Sequence, residues 1–472
     1  MMESIFKSKT IDDVYAEIQQ VYLGDNRPWI LGFSGGKDST CMIQIVLAAL
    51  QKIPKSKLAK KVYVISSDTL VESPKIVETV TDSLEKMETF ARKSMLPLET
   101  NLVRPKLSDT FWVCMIGKGY PAPSNTFRWC TDRLKIKSAN SFIEERVSEH
   151  GEIVMVLGSR KAESSTRAQV INNHRIKGSP LSHHNMLPQA FIYAPLRDFT
   201  TEDVWNFLLQ NPENPWGGNN RDLLAMYQDA NAAECPLVID TSTSSCGNSR
   251  FGCWVCTVVE RDKSMESMID NGEEWMEPLL ELRQMLKDTQ DPEKKKEFRD
   301  LKHRNGHVIF WNDKVAYGPY KFEFCKKIFE SLLQAQVAVR KNGPDSNIAL
   351  IHDDEIHEIQ RLWRTEHGDW RNSAYEIYEN ITGEKIAPKE EDLGAFGTIE
   401  QSELEAACKE HNVPYDLLAR SLQVEFDMQG MIRRQKVHTS LAKILGEEWR
   451  QDMSKAVKEA SDRKRKIKEI YE

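Results

Sequence analysis

The stretch that most constrains how this chain can fold runs from Trp29 to Leu50. Trp29-Ile30-Leu31-Gly32-Phe33 has the aromatic and branched make-up of a short buried strand. Ser34-Gly35-Gly36-Lys37-Asp38-Ser39 follows, and then Met42, Ile43, Ile45, Val46, Ala49 and Leu50 recur at helical spacing. A strand, a tight loop and a helix in that order begin a parallel α/β sheet. The loop suits an anion. Gly35 and Gly36 carry no Cβ, so backbone N–H groups can approach a ligand closely, and the helix starting near Lys37 turns its positive end to the same place. Lys37 adds a mobile charge, and Ser34 and Ser39 add hydroxyl donors. The G-x-x-x-x-G-K-[ST] spacing of the common nucleotide loop is absent.

In its strand-to-helix setting, the hexapeptide resembles the pyrophosphate loop of the ATP pyrophosphatase superfamily. That resemblance implies ATP as the nucleotide, cleavage between its α and β phosphates, and attachment of AMP to a substrate oxygen. Ser34, Gly35, Gly36, Lys37, Asp38 and Ser39 would hold the nucleotide.

At 472 residues the chain is too long for one ordinary domain. With 29% charged and 40% hydrophobic residues and no long apolar run, it belongs to the soluble globular class. The first residues lack the basic start and apolar stretch of a secretory signal, so a cytoplasmic location without membrane partners is expected. Net charge is −7, so any nucleic-acid binding must come from local basic patches or a partner. Nine cysteines in a reducing compartment point to metal or catalytic use before disulfides.

Residues 10 to 23 read as a helix leading into the first strand. Lys61 to Thr69 reads as a second strand ending at Asp68, which a parallel sheet would bring to the same crevice as Lys37. Residues 74 to 95 form a long amphipathic pattern, and Asn101 to Arg104 is a third strand candidate. Arg128-Trp129-Cys130-Thr131-Asp132-Arg133-Leu134-Lys135 places bases on both sides of one thiol, which favours the thiolate that metals and electrophiles need. Glu152 to Arg160 is another strand running into a loop with Arg160, Lys161 and Arg167, suited to a polyphosphate or an oligonucleotide backbone. His174, His183 and His184 lie in a polar stretch and read as loop histidines. A last strand at Tyr193 precedes a helix capped at Thr200.

These motifs, with Gly158-x-Arg160-x-x-Glu163-Ser164-x-x-Arg167 and the Pro195-Leu196…Thr200…Asp203-Val204-Trp205 ending, resemble the phosphoadenosine-phosphosulfate reductase and ATP sulfurylase branch of that superfamily. The resemblance covers about residues 25 to 210 and implies adenylate and sulfur chemistry.

After the breakers of Asn211 to Asn220, the chain reaches Cys235 and then Cys246-Gly247-Asn248-Ser249-Arg250-Phe251-Gly252-Cys253-Trp254-Val255-Cys256. Zinc or an iron–sulfur cluster needs four such ligands, so a distant cysteine must join these three thiols. Cys130 is the choice, with Cys235 as the alternative. Phe251, Trp254 and Val255 would shield a cluster, whereas structural zinc would more often show a second Cys-x-x-Cys pair. The expected cofactors are therefore ATP, Mg²⁺ held by Asp38 or Asp68, and a [4Fe-4S] cluster on Cys130, Cys246, Cys253 and Cys256.

The thiol set placed after such a loop domain resembles the Dnd C-type sulfurtransferases of DNA phosphorothioation systems. That resemblance implies an enzyme that adenylates a DNA backbone phosphate and replaces a non-bridging oxygen with sulfur. Its partners would be DNA, a cysteine desulfurase as sulfur donor, and other subunits of the modification complex. Lys37, Asp38, Asp68, Arg160 and Arg167 would be the catalytic residues. A sulfate adenylyltransferase-like or tRNA-thiolating enzyme is the alternative.

Beyond residue 262 the chain reads mainly as helices, with a basic run from Lys294 to Arg304 and a basic end from Arg463 to Lys468. Cys325 and Cys408 read as core thiols. The expected architecture is a Rossmann-like (adenine nucleotide alpha hydrolase type) parallel sheet with helices on both faces over 1–210. A cysteine-rich segment over 211–262, a helical extension over 263–342 and a helical C-terminal region over 343–472 follow it.

Overall fold

Alternation within three central strands gives the architecture. In β1 (Trp29–Gly32), β2 (Val62–Ser67) and β4 (Ile153–Val156), odd and even residues enter two different cores. Trp29, Leu31, Val62, Val64, Val154 and Val156 belong to one, and Ile30, Tyr63, Ile65, Ile153 and Met155 to the other. A strand buried on both faces needs helices on both faces. The first core is closed by α1 (Ile11–Leu23), α2 (Lys37–Gln51), α3 (Pro74–Ser94) and α6 (Thr201–Gln210), and the second by α4 (Lys137–His150). The coordinates are a computed structural model that describes residues 3–230, 252–311, 314–389, 396–429, 435–449 and 453–471.

The sheet has six strands in the order β3-β2-β1-β4-β6-β5, with β3 at Leu98–Val103, β5 at Leu181–His183 and β6 at Ala190–Tyr193. All neighbours are parallel except β5, which runs antiparallel to β6 at the edge. β1 pairs with β2 on one side and β4 on the other, so chain order reverses at the β1–β4 border. The expected α/β class with a parallel sheet and a helical C-terminal region is what the chain forms. β5 interrupts the stretch read as loop, between α5 (Ser165–Asn173) and β6.

Two compact units divide the chain. The first comprises residues 1–106 and 125–276, and includes α7 (Asn220–Ala230) and α8 (Lys263–Asp270) besides the sheet. The second comprises residues 107–124 and 277–472. It holds α9 (Glu277–Asp288), α10 (Lys295–Phe298), the hairpin of β7 (Ile309–Trp311) and β8 (Lys314–Ala316), α11 (Phe322–Asn342), α12 (Asp353–His367), α13 (Ser373–Thr382), α14 (Thr398–His411), α15 (Tyr415–Asp427), α16 (Gln435–Leu445) and α17 (Met453–Tyr471). Its core captures Phe111 to Gly117: the Trp112 indole donates to the Leu350 carbonyl at 2.8 Å, and the Trp363 indole to the Ile116 carbonyl at 2.9 Å. The basic run from Lys294 makes only one helical turn before entering an extended ribbon with the hairpin. Cys325 and Cys408 are buried core residues.

Candidate functional site

Open parallel sheets receive ligands beyond the carboxyl ends of their strands, where strand order reverses. In this sheet that place lies between the loop after β1 and the loop after β4, and those loops carry Ser34 to Ser39 and Gly158 to Glu163.

The first loop is closed by its own serines. Ser39 Oγ donates to the Gly36 carbonyl at 2.9 Å, accepts from the Ser34 amide at 3.3 Å and lies 3.2 Å from Ser34 Oγ. Gly35 has φ +71°, the left-handed conformation that favours glycine. α2 then starts at Lys37, inside the protein. Lys37 Nζ donates to Asp38 Oδ2 at 2.9 Å, and Arg160 Nε to Asp38 Oδ1 at 2.5 Å. Arg160 has no exposed surface, and its Nη1 also donates to Thr201 Oγ1 at 3.3 Å. Burial lowers the Lys37 ammonium below its ordinary range, and the Asp38 carboxylate works against that.

Gly158 explains why the two loops can meet. A Cβ there would lie 2.8 Å from the Asp38 carbonyl oxygen and 3.1 Å from the Ser39 amide. The Arg160 amide donates to Glu163 at 2.6 Å, which fixes the turn after β4. Lys161 leaves the crevice to pair with Asp198 at 2.8 Å. The Arg167 side chain lies outside the described residues.

Asp68 sits at the end of β2. Its Oδ1 accepts from the Leu70 amide at 2.9 Å and its Oδ2 from Arg104 Nε at 2.9 Å. The carboxylate therefore shapes a turn, with Leu70 at φ +62°, while its outer oxygen faces an arginine whose side chain is 58% exposed. This arrangement bears on Mg²⁺. Both oxygens of Asp38 are taken by buried cations, so it does not fit a magnesium ligand, whereas Asp68 can exchange Arg104 for one.

The Cys-x-x-Cys segment joins the same end of the sheet. The Trp254 amide donates to the Val71 carbonyl at 3.0 Å, and Cys253 bridges Glu72, so the segment pairs with the loop that leaves β2. The Cys256 amide donates to the Cys253 carbonyl at 3.1 Å, closing a turn whose middle residues Trp254 and Val255 are buried. Cys253 Sγ lies 3.4 Å from Thr69 Oγ1 and 3.6 Å from Glu72 Oε1. Lys135, on the helical turn that begins just after Cys130, reaches the same Glu72 at 3.4 Å. Burial and the Glu72 charge push the Cys253 thiol up. Among the described residues no group of three or more His, Cys, Asp or Glu is set to hold a metal ion, and Cys235 and Cys246 lie outside those residues. The donors present fit a cluster in kind: two thiols one turn apart beneath an apolar shell.

Residues 28–258 match the family described as the phosphoadenosine phosphosulfate reductase domain. This stretch, just under half of the chain, is similar to that family. The matched stretch contains both loops and the Cys253–Cys256 turn. An uncharacterized protein of Methanocaldococcus jannaschii is 25% identical over 193 residues, which are 41% of this chain and 34% of that protein. The chain spans about a third of the length of this curated relative. Two solved structures are also similar at 14% identity each. Candida glabrata FMN adenylyltransferase, in complex with FAD and inorganic pyrophosphate, aligns over 45% of this chain and 60% of its own, with a TM-score of 0.26. The U34-tRNA thiolase NcsA from Methanococcus maripaludis, with its [4Fe-4S] cluster, aligns over 60% and 82%, with a TM-score of 0.27. Likenesses this slight carry no function across.

The sequence alone does not single out Glu72, Thr201 or Tyr227, and it shows Lys135 only as one of the bases beside Cys130. Glu72 and Lys135 are ordinary charged residues in their own segments, and only the fold makes them neighbours. Thr201 stands beside the Thr200 cap, and that capping pattern was its one local signal.

Proposed function

We propose that this chain is an ATP-dependent sulfurtransferase that adenylates a DNA backbone phosphate and replaces a non-bridging oxygen with sulfur. The observation that carries the reading is the adjacency of two chemistries at one end of one sheet: the phosphate loop after β1 and the thiol turn held to the loop after β2. The family match over both supports it.

In the first step a non-bridging oxygen of the acceptor phosphate attacks the α phosphorus of ATP. The bond to the β-phosphate oxygen breaks, and pyrophosphate leaves toward the loop. Ser34, Ser39, the loop amides and Lys37 bind that leaving group, while Asp38 and Arg160 act behind Lys37 as positioning residues. Asp68 is the residue suited to nucleotide-bound Mg²⁺, which would neutralise charge on the phosphates. In the second step a hydrosulfide-level sulfur attacks the activated phosphorus and AMP departs with the original oxygen, so P–O becomes P–S. The sulfur derives from a cysteine desulfurase persulfide, released by a thiol reductant. Cys130, Cys246, Cys253 and Cys256 would hold a [4Fe-4S] cluster, which with all four irons ligated would supply electron transfer beside the thiol turn.

The test is product analysis with ATP, Mg²⁺, a cysteine desulfurase, cysteine, a thiol reductant, DNA and the companion subunits. Pyrophosphate and AMP are expected, with phosphorothioate-linked dinucleotides after nuclease digestion. Release of ADP and orthophosphate alone would refute the reading. Anaerobic iron and sulfide analysis of Cys253→Ser tests the cluster separately, and zinc without iron in the parent protein would overturn that part.

A further inference from the structure

A helix leaves its first-turn amides without partners of its own, and in glycine-lined loops those donors receive anions. At the start of α2 one of them is engaged by a side chain from far along the chain. The Lys37 amide donates to the phenol oxygen of Tyr227, on α7, at 3.2 Å. The same oxygen would lie 3.2 Å from a Cβ placed on Gly36, so a side chain there would crowd the phenol where it meets the loop. The Tyr227 ring also lies 5.8 Å from Lys37 Nζ, the charge expected to meet the leaving group. Its position is set from behind by Trp205 of α6, edge-on with centroids 5.3 Å apart.

An amide hydrogen makes one good hydrogen bond. A pyrophosphate oxygen that takes the Lys37 amide must therefore evict the phenol, and a charged acceptor outcompetes a neutral one. We propose that Tyr227 is a tethered stand-in for a phosphate oxygen, competing with the outer phosphates of the nucleotide for the loop. Nucleotide binding then releases Tyr227, and with it α7, from the crevice. This rests on the reading that the loop binds the pyrophosphate portion of ATP.

Two measurements on the full chain test it. Calorimetric titration with inorganic pyrophosphate, and with ATP and Mg²⁺, compares the parent protein with Tyr227→Phe, which keeps the ring and removes the competing oxygen. Pyrophosphate is expected to bind the variant about two- to tenfold more tightly, the equivalent of one neutral hydrogen bond. Equal or weaker binding by the variant, with the parent still binding, overturns the competition and leaves the nucleotide reading standing. Failure of the parent to bind either probe overturns both. The second measurement needs no variant: hydrogen exchange across α7 is expected to quicken when pyrophosphate is added. Slower exchange would mean that the helix closes on the ligand, which also overturns the proposal.

Discussion

Each unit of this protein contains a carboxylate clamped by two cations. In the first, Asp38 lies between Lys37 and Arg160. In the second, Glu447 accepts two bonds from Arg420 at 2.8 Å each and one from Lys302 at 3.4 Å, with only 4% of its side chain exposed. As lists of charges they are nearly the same, and their settings differ. Around Asp38 stand a helix start, the ends of two parallel strands and three glycines, so the helix's first amides lie at the carboxyl end of the sheet. Around Glu447 stand Trp449, 4.0 Å from Lys302 Nζ, and the Gly306 carbonyl, which accepts the Glu448 amide at 2.8 Å. That cluster ties the hairpin ribbon to the segment after α16. A buried ion cluster is thus a site only where backbone geometry leaves donors for a ligand.

Neutralising the two carboxylates is the sharpest way to break this comparison. Asp38→Asn strands two buried cations and is expected to cost about 3–5 kcal/mol in denaturant titration, whereas Glu447→Gln leaves Arg420 and Lys302 partly exposed to water and is expected to cost about 1–3 kcal/mol. Asp38→Asn should also cut pyrophosphate release by about a hundredfold in protein that remains folded, because Lys37 loses its anchor. Glu447→Gln should leave that rate unchanged, and an equal fall in both variants would erase the distinction.

Gly158→Ala probes the backbone half of the contrast. Its Cβ meets main-chain atoms of Asp38 and Ser39 that cannot rotate away. A stability loss of about 1–3 kcal/mol is expected from the overpacking. Pyrophosphate release should fall as well, and a variant with parental kinetics would show that the loops do not need this close approach.

The acid sensitivity that sets in nearest neutral pH should come from His367 in the second unit. His367, stacked on Phe322 at 4.4 Å, is pushed down to about 3 by burial and by Arg420, Arg304, Lys302 and Lys326. Its folded value lies below the ordinary 6.5, so the unfolded chain binds the proton more readily. Stability should fall as pH drops from about 6.5 toward 3, and His367→Phe should flatten that slope. Glu447 adds a loss at lower pH: burial opposes its charge, Arg420 and Lys302 outweigh burial, and its carboxyl titrates below the ordinary 4.5. Its contribution is present above about 4.5 and disappears as pH falls through the folded value. Calorimetric scans across this range check both.

The smallest expected effect lies at the thiol turn. Thr69→Val removes the hydroxyl beside Cys253 and should cost about 1 kcal/mol. Its informative readout is Cys253 alkylation, expected to quicken as the turn loosens from the loop after β2; an unchanged rate would mean that the backbone bond from Trp254 to Val71 holds the turn alone.

Much of the first unit was legible because its signals are local. Short runs of branched and aromatic residues mark β1, β2 and β4, Thr200 marks the start of α6, and the glycines with Lys37 mark the loop. Strand β5 escaped notice because Leu181-Ser182-His183 is short and pairs only at an edge. Arg160 was legible as a cation near a strand end, but not as a buried clamp on Asp38, since burial depends on Thr201 and α2 closing around it.

By itself, the sequence determined a strand, glycine loop and helix that present donors to an anion, because those preferences are satisfied within a dozen residues. It also determined a thiol pair one turn apart. Only the tertiary structure decided that the pair docks on the loop after β2, that Tyr227 reaches the Lys37 amide, and that residues 107–124 join the second unit. Those outcomes rest on contacts between segments far apart in the chain. The partner of a charge, a thiol or an amide is chosen there by which surfaces pack together, and local pattern carries no record of that choice.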